Sequence, residues 1–197
     1  MKSNRGRMAL PNTNIEEFSS RFIKQAGKVY FAKSAEDTTR IINGIIEERG
    51  KGDSCCSSNL RIRQNGSMVD ISGRVKTNIW YSQFEEQPRK FADQLDVGVT
   101  HAEYGIAETG SIVDVAYTDE ERLLSSITRV HIALLDSSNV LPNLDDLASR
   151  IRETLSAKQD HPKPSITFIG GPSRTSDIEL KSVLGVHGPH EVHVVIY

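Results

Sequence analysis

The chain has 197 residues, a formal net charge of −2, and 37% hydrophobic and 25% charged residues. That length supports one domain with a substantial core, and the composition is that of an ordinary globular protein. The charge gives no general attraction to nucleic acid or acidic membranes, and no apolar run approaches the roughly 20 residues of a membrane span.

The N-terminus has basic residues but no apolar stretch behind them, so residues 1–13 read as a flexible tail rather than a secretory leader. Residues 14–25 then place Ile15, Phe18 and Phe22 on one helical face with Asn14 as cap. A strand follows at 28–33. The segment 34–50 reads as a helix opened by Ser34 and Asp37 and closed by Gly50. The small-residue stretch 53–59 is a weak strand and contains both cysteines, Cys55 and Cys56. Two adjacent thiols cannot supply the ligands of an iron–sulfur cluster, and a reducing cytoplasm is the natural compartment for them.

Residues 60–83 have poor periodicity, with Asn65-Gly66 marking a turn and Trp80 the only tryptophan. A helix is expected over 84–94, and strands alternating with glycine turns over 95–117. Within that stretch, Thr100-His101-Ala102-Glu103 reads best as a capping box that starts a short helix. The alternative is an extended segment with His101 and Glu103 on one side. A helix at 120–127, a strand at 129–136 and an amphipathic helix at 143–156 capped by Asn143 come next. A strand at 165–170 leads into a loop, and Gly188-Pro189 reads as the link of a terminal hairpin over 179–197. Alternating strands and helices imply one α/β domain over 14–197, its sheet mostly parallel with a C-terminal antiparallel hairpin.

Three groups of residues stand out chemically. Glu108 lies among small residues before Gly110. It can be a carboxylate that ties down the turn, a ligand-binding group, or a nucleophile or general base. The loop Gly170-Gly171-Pro172-Ser173-Arg174-Thr175-Ser176-Asp177 offers backbone N–H groups, hydroxyls and a guanidinium. It can bind phosphate or carboxylate, or it can be a hydrogen-bonded connector. Of the histidines, His187 and His190 face each other across the expected hairpin while His193 points away, one ligand short of a catalytic zinc. No metal site is therefore assigned, and His187 is kept as an acid–base candidate. Phosphate-binding glycine motifs of the Walker and dinucleotide types are absent.

Two segments together resemble a known family: DVGVTHAEYGIAETGSIV (96–113) and GPSRTSDIELKSVLGVHGPHEVHVVI (171–196) are similar to the signature segments of LUD-domain proteins of the lactate utilization protein C type. The resemblance implies a Rossmann-like α/β fold similar to the sugar-phosphate isomerase and coenzyme A transferase group. It also implies an accessory role in a cytoplasmic system that oxidises L-lactate to pyruvate, with the clusters held by iron–sulfur partner proteins and no cofactor in this chain. The transferases of that fold group use a Glu before a small polar residue and Gly, an arrangement similar to Glu108-Thr109-Gly110. The expected site thus has Glu108 and His187 as catalytic candidates. Thr109, Gly110, Gly171, Ser173, Arg174, Thr175 and Asp177 would bind a small anionic ligand. Two other functions stay open, a stand-alone acyl-CoA or sugar-phosphate enzyme using Glu108 and a non-catalytic ligand-sensing module. A homodimer is also compatible with the sequence.

Overall fold

In a computed structural model, the described residues are 13–57, 60–79, 81–157, 164–176, 182–184 and 188–197. Trp80, Asp177, His187 and all but Thr13 of the expected tail lie outside them. The central sheet has five strands: β1 (Lys28–Phe31), β2 (Asp53–Cys56), β5 (Leu95–Ala102), β8 (Val130–Leu135) and β13 (Glu191–Ile196). They run in the order β1-β13-β8-β5-β2, and every neighbouring pair is parallel. The middle strand, Val-His-Ile-Ala-Leu-Leu, is buried along its whole length. A strand apolar on both faces requires cover on both sides, and helices supply it.

On one face lies α1 (Thr13–Lys24), whose Phe18 and Phe22 are fully buried and stacked at 5.6 Å between ring centres. They pack against Ala133, Leu135, Val192, Val194 and Ile196, the side chains that β8 and β13 turn to this face. Replacing either phenylalanine by alanine costs roughly 3–5 kcal/mol. On the same face, α5 (Asp119–Ser126) crosses so closely that a Cβ on Gly98 would overlap the Leu124 carbonyl, which is why β5 carries glycine there. The opposite face is covered by α2 (Ala35–Arg49), with Ile42 and Ile45 against Val97, Val99, Ile132 and Val195. The Ser34 hydroxyl caps α2 by accepting the Asp37 N–H at 3.2 Å, as the sequence implies.

A second sheet holds β10 (Ser165–Ile169), β7 (Ser111–Ala116), β6 (Tyr104–Ile106) and β9 (Val140–Leu141) in that order, antiparallel except for the β6–β9 pair. Beside it runs α6 (Leu144–Ala157), capped by Asn143, which accepts the Asp146 N–H at 2.9 Å. A small hairpin, β3 (Arg61–Gln64) and β4 (Ser67–Asp70), turns at Asn65-Gly66, both at positive φ as a two-residue hairpin turn requires.

The expected α/β class and mostly parallel sheet are present, but three local expectations fail. First, β13 is not the second arm of a Gly188-Pro189 hairpin. Its nearly continuous apolar sequence is buried between β1 and β8, and non-local pairing outweighs the turn signal. The antiparallel pair of this region forms earlier, between β11 (Arg174–Ser176) and β12 (Ser182–Leu184). Second, Thr100–Ala102 end strand β5 instead of starting a helix, because Thr100 spends its hydroxyl on His131 across the sheet at 2.8 Å. Third, the helix expected over 84–94 is broken into α3 (Tyr81–Glu86) and α4 (Pro88–Ala92). Pro88 cannot donate the helical hydrogen bond and so begins a new helix.

Candidate functional site

Every central strand points its carboxyl end toward the same edge, and there a cleft of about 470 Å³ opens. It is bounded by the ends of β5 and β8, by Tyr197 after β13, and by β3 and β7. Open parallel sheets bind ligands at this edge, where strand ends and loops leave backbone and side chains unpacked.

One wall is basic. Arg61 and Arg63 alternate with the buried Ile62 on β3, so both guanidinium groups stay on the exposed side of the hairpin. Arg63 is paired with Asp136 at 3.1 Å. Burial works against the Asp136 charge, but hydrogen bonds from Ser138 and Arg63 outweigh it and hold the carboxyl below its ordinary range. His101 accepts the Arg61 N–H on Nε2 at 2.9 Å. Burial keeps its pKa below the usual value, so the ring is a neutral acceptor that fixes β3 against β5. The Tyr197 hydroxyl donates to the Arg61 carbonyl at 3.5 Å, and burial raises its pKa.

The cleft is also lined by acidic residues. Asp114 on β7 is only 7% exposed, and burial pushes its carboxyl up to about 6. A hydrogen bond with Ser125 works in the opposite direction, while the charges of Glu121 and Glu103 add to the rise. Glu121 is held by α5 and accepts the Tyr117 N–H at 2.8 Å. A carboxyl near pH 6 in a cleft can give or take a proton under neutral conditions, which an exposed Asp does poorly. The sequence reading missed Asp114, Arg61 and Arg63. The available signal for Asp114 was a lone acid inside the apolar strand Ile-Val-Asp-Val-Ala. The extended alternative holds for His101, which is in β5, while Glu103 lies in the bend after the strand; both line the cleft.

The residues singled out in the sequence lie elsewhere. Glu108 is exposed, and its Oε2 accepts the Leu144 N–H at 3.2 Å, at the first turn of α6. Thr109 and Gly110 present their carbonyls to the Gln25 amide at 2.9 and 3.2 Å. Gly171 lies against the Gln25 backbone, so Gln25 gathers the two glycine turns at the end of α1. The Ser173 N–H donates to Pro189 at 2.8 Å, and Arg174 is exposed on β11. The structure therefore brings Thr109, Gly110 and Gly171 together around Gln25 and seats Ser173 beside the Gly188-Pro189 segment. None of these residues lines the cleft. Asp177 and His187 lie outside the described residues, as does the Thr175 side chain.

Cys55 and Cys56 are free and buried, and burial pushes the Cys55 thiol up to about 12, away from thiolate chemistry. His131 and His193 are buried, with burial pushing them down to about 3 and about 4. Among the described residues no group of three His, Cys, Asp or Glu could hold a metal ion, and no helix is long and apolar enough to cross a membrane.

Fold and cleft define an α/β domain of the open parallel-sheet kind with a polar site at its carboxyl edge. A family model described as the LUD domain matches residues 15–197, and the chain belongs to that family. It is 32% identical over 158 residues to the uncharacterised protein YkgG of Escherichia coli, covering 80% of this chain and 66% of that one. It is 30% identical over 149 residues to lactate utilization protein C of Halalkalibacterium halodurans, covering 75% and 64%. A third relative, lactate utilization protein C of an Exiguobacterium species, is 34% identical over 117 residues, 59% of this chain and 50% of its own. The matches thus span half to two-thirds of these relatives. The crystal structure of a DUF162 family protein from Deinococcus radiodurans superposes with a TM-score of 0.61 at 17% identity, covering 95% of this chain and 98% of the other, and shares the fold.

Proposed function

We propose that this chain is a component of lactate utilization, in which its cleft binds a small carboxylate while iron–sulfur partner proteins carry the redox centres. The names of the lactate utilization protein C relatives support the physiological setting. The observation that carries the ligand class is that Arg61, Arg63 and the buried Asp114 line one cleft at the carboxyl edge of the sheet. Guanidinium groups recognise carboxylates by paired hydrogen bonds, and the same cleft offers a group able to exchange a proton. The two cysteines are buried and free, which supports placing the electron carriers in other chains.

The test is growth on L-lactate of a strain lacking the chain, complemented with wild type or with Arg61→Ala/Arg63→Ala. Both arginines are exposed and Asp136 keeps its two Ser138 hydrogen bonds without Arg63, so the double variant should fold with a modest loss of stability yet fail to restore growth. Full complementation by a folded double variant removes the cleft from this reading, and normal growth of the deletion strain removes the lactate role. Co-purification with cysteine-rich, iron-containing proteins checks the partner half. The Glu108-based alternative, acyl-CoA or sugar-phosphate chemistry, is the less well supported, because that carboxylate is exposed and already accepts the Leu144 N–H. Ligand contacts by the 171–177 loop remain a separate proposal, tested by Arg174→Ala in the same complementation assay.

A further inference from the structure

The cleft places a desolvated carboxyl where a second negative charge is expected to arrive. Asp114 is 93% removed from solvent, whereas Arg61 and Arg63 stay exposed. Arg61, Arg63 and Asp114 line one space, so a carboxylate held there by the arginines brings a second negative charge into the cleft that Asp114 lines. Two carboxylates sharing one cleft oppose each other's ionisation. When one takes a proton, the shared hydrogen then binds them together.

We infer that Asp114 takes up one proton from solvent when the cleft binds a small carboxylate, its O–H then donating to the ligand while the arginines hold the ligand's charge. The inference rests on the small-carboxylate reading of the cleft. The balance is simple: ligand carboxylate, one solvent proton and ionised Asp114 become a ligand carboxylate hydrogen-bonded to a neutral Asp114, with no bond to carbon made or broken.

The groups facing Asp114 act in both directions: Ser125 and the Val115 backbone N–H favour its charge, while burial and the charges of Glu121 and Glu103 oppose it and prevail. From α5, the Glu121 charge opposes ionisation and Ser125 favours it; Arg122 on the same helix is engaged with Asp119 at 2.8 Å. From the bend after β5, Glu103 opposes ionisation. Across β7, the register partner on β10 is Thr167, which does not titrate. Among the other cleft groups, His101 is a neutral acceptor for Arg61, Asp136 is committed to Arg63 and Ser138, and burial keeps the Tyr197 phenol protonated. Burial favours the neutral form of Asp114 already in the empty cleft, so the ligand completes a protonation that is partly prepared.

The test is calorimetric titration of the wild-type chain with L-lactate and with pyruvate between pH 5.5 and 8, in buffers of differing ionisation enthalpy. Both probes are fully ionised across that range, so any proton taken up goes to the protein. Wild type should take up close to one proton per ligand above pH 7, its affinity falling about tenfold per pH unit above the Asp114 midpoint. Asp114→Asn should bind with a pH-independent Kd and no proton uptake. Binding by wild type without uptake, or the same uptake in Asp114→Asn, overturns the inference and leaves the cleft reading standing. No binding of either probe at any pH overturns both. Carbon-13 carboxyl resonances of the wild type give a second readout independent of the variant's folding. A buried Asp resonance should titrate at higher pH with saturating pyruvate than without it, and an unmoved midpoint rejects the inference.

Discussion

The turn before β7 and the strand itself carry two carboxylates in opposite circumstances. The turn 107–110 leaves Glu108 exposed, bonded to the first turn of α6, with Gly110 buried against α1. Four residues into the strand, Asp114 is buried in a cleft wall with its proton affinity raised. The conspicuous acid, framed by small residues and a glycine, closes a structure. The inconspicuous one, inside an apolar strand, has the environment that chemistry requires. Local sequence contrast reports backbone demands, while functional pressure shows as a polar group where packing alone would exclude it.

If the turn is structural, the largest effect belongs to Gly110. Its φ is +62°, and a Cβ there would lie 2.8 Å from the Arg21 carbonyl carbon and the Phe22 nitrogen. Gly110→Ala combines left-handed backbone strain with overpacking and should cost about 3 kcal/mol. Chemical denaturation measures the loss, and calorimetry of the folded protein should find the affinity of the cleft for pyruvate unchanged. A large affinity loss in folded Gly110→Ala would join the 107–110 turn and the cleft into one site.

Asp114 comes next, with the unusual sign of a gain. Its carboxyl holds a proton up to about 6 in the folded chain against its ordinary 3.8, about two units. Its favourable contribution is full below 3.8 and is lost as pH rises through 6, leaving a penalty of roughly 3 kcal/mol at higher pH. Asp114→Asn, neutral at every pH, should therefore melt several degrees above wild type at pH 8 and at nearly the same temperature at pH 4. Equal melting temperatures at pH 8 would mean that Asp114 is ionised comfortably and resembles Glu108 after all. A stability gain coupled to lost proton uptake is the signature of a residue kept for function.

Much of this architecture was legible in the sequence, and its failures have a common cause. Helical periodicity located α1, α2, α5 and α6 to within a residue or two, and the caps Ser34 and Asn143 act on neighbours three residues away. Asn14, expected to cap α1, instead lies inside a helix that begins at Thr13. Asn65-Gly66 marked its hairpin through an equally local turn. Thr100 and Gly188-Pro189 misled because their local motifs competed with partners far along the chain. Thr100 bonds His131, and the strand after Pro189 inserts between β1 and β8. The cleft was hidden more deeply, since Arg61, His101, Asp114 and Asp136 meet only through the order of parallel strands. Of the sequence-chosen residues, Glu108 could be placed in chemistry or in capping with equal ease, and only the position of α6 distinguishes them.

The smallest effect is the one that separates those two roles of Glu108. As a reagent it would need its charge, and Glu108→Gln would remove the reaction while leaving the fold untouched. As the partner of the Leu144 N–H, a glutamine oxygen can accept the same hydrogen bond. What is lost is then the attraction between a full negative charge and the positive end of α6, a few tenths of a kcal/mol for an exposed side chain. Glu108→Ala also removes the acceptor and should cost about 1 kcal/mol, close to other lost caps. The expected pattern is a graded fall in melting temperature from wild type through Gln to Ala, with growth on L-lactate and pyruvate affinity constant across the series. High salt should shrink the gap between wild type and Gln, since screening acts on the charge, but not the gap between Gln and Ala, which reflects a hydrogen bond. A stable Glu108→Gln protein that fails to restore growth would return this carboxylate to the chemistry and leave Asp114 as its accessory.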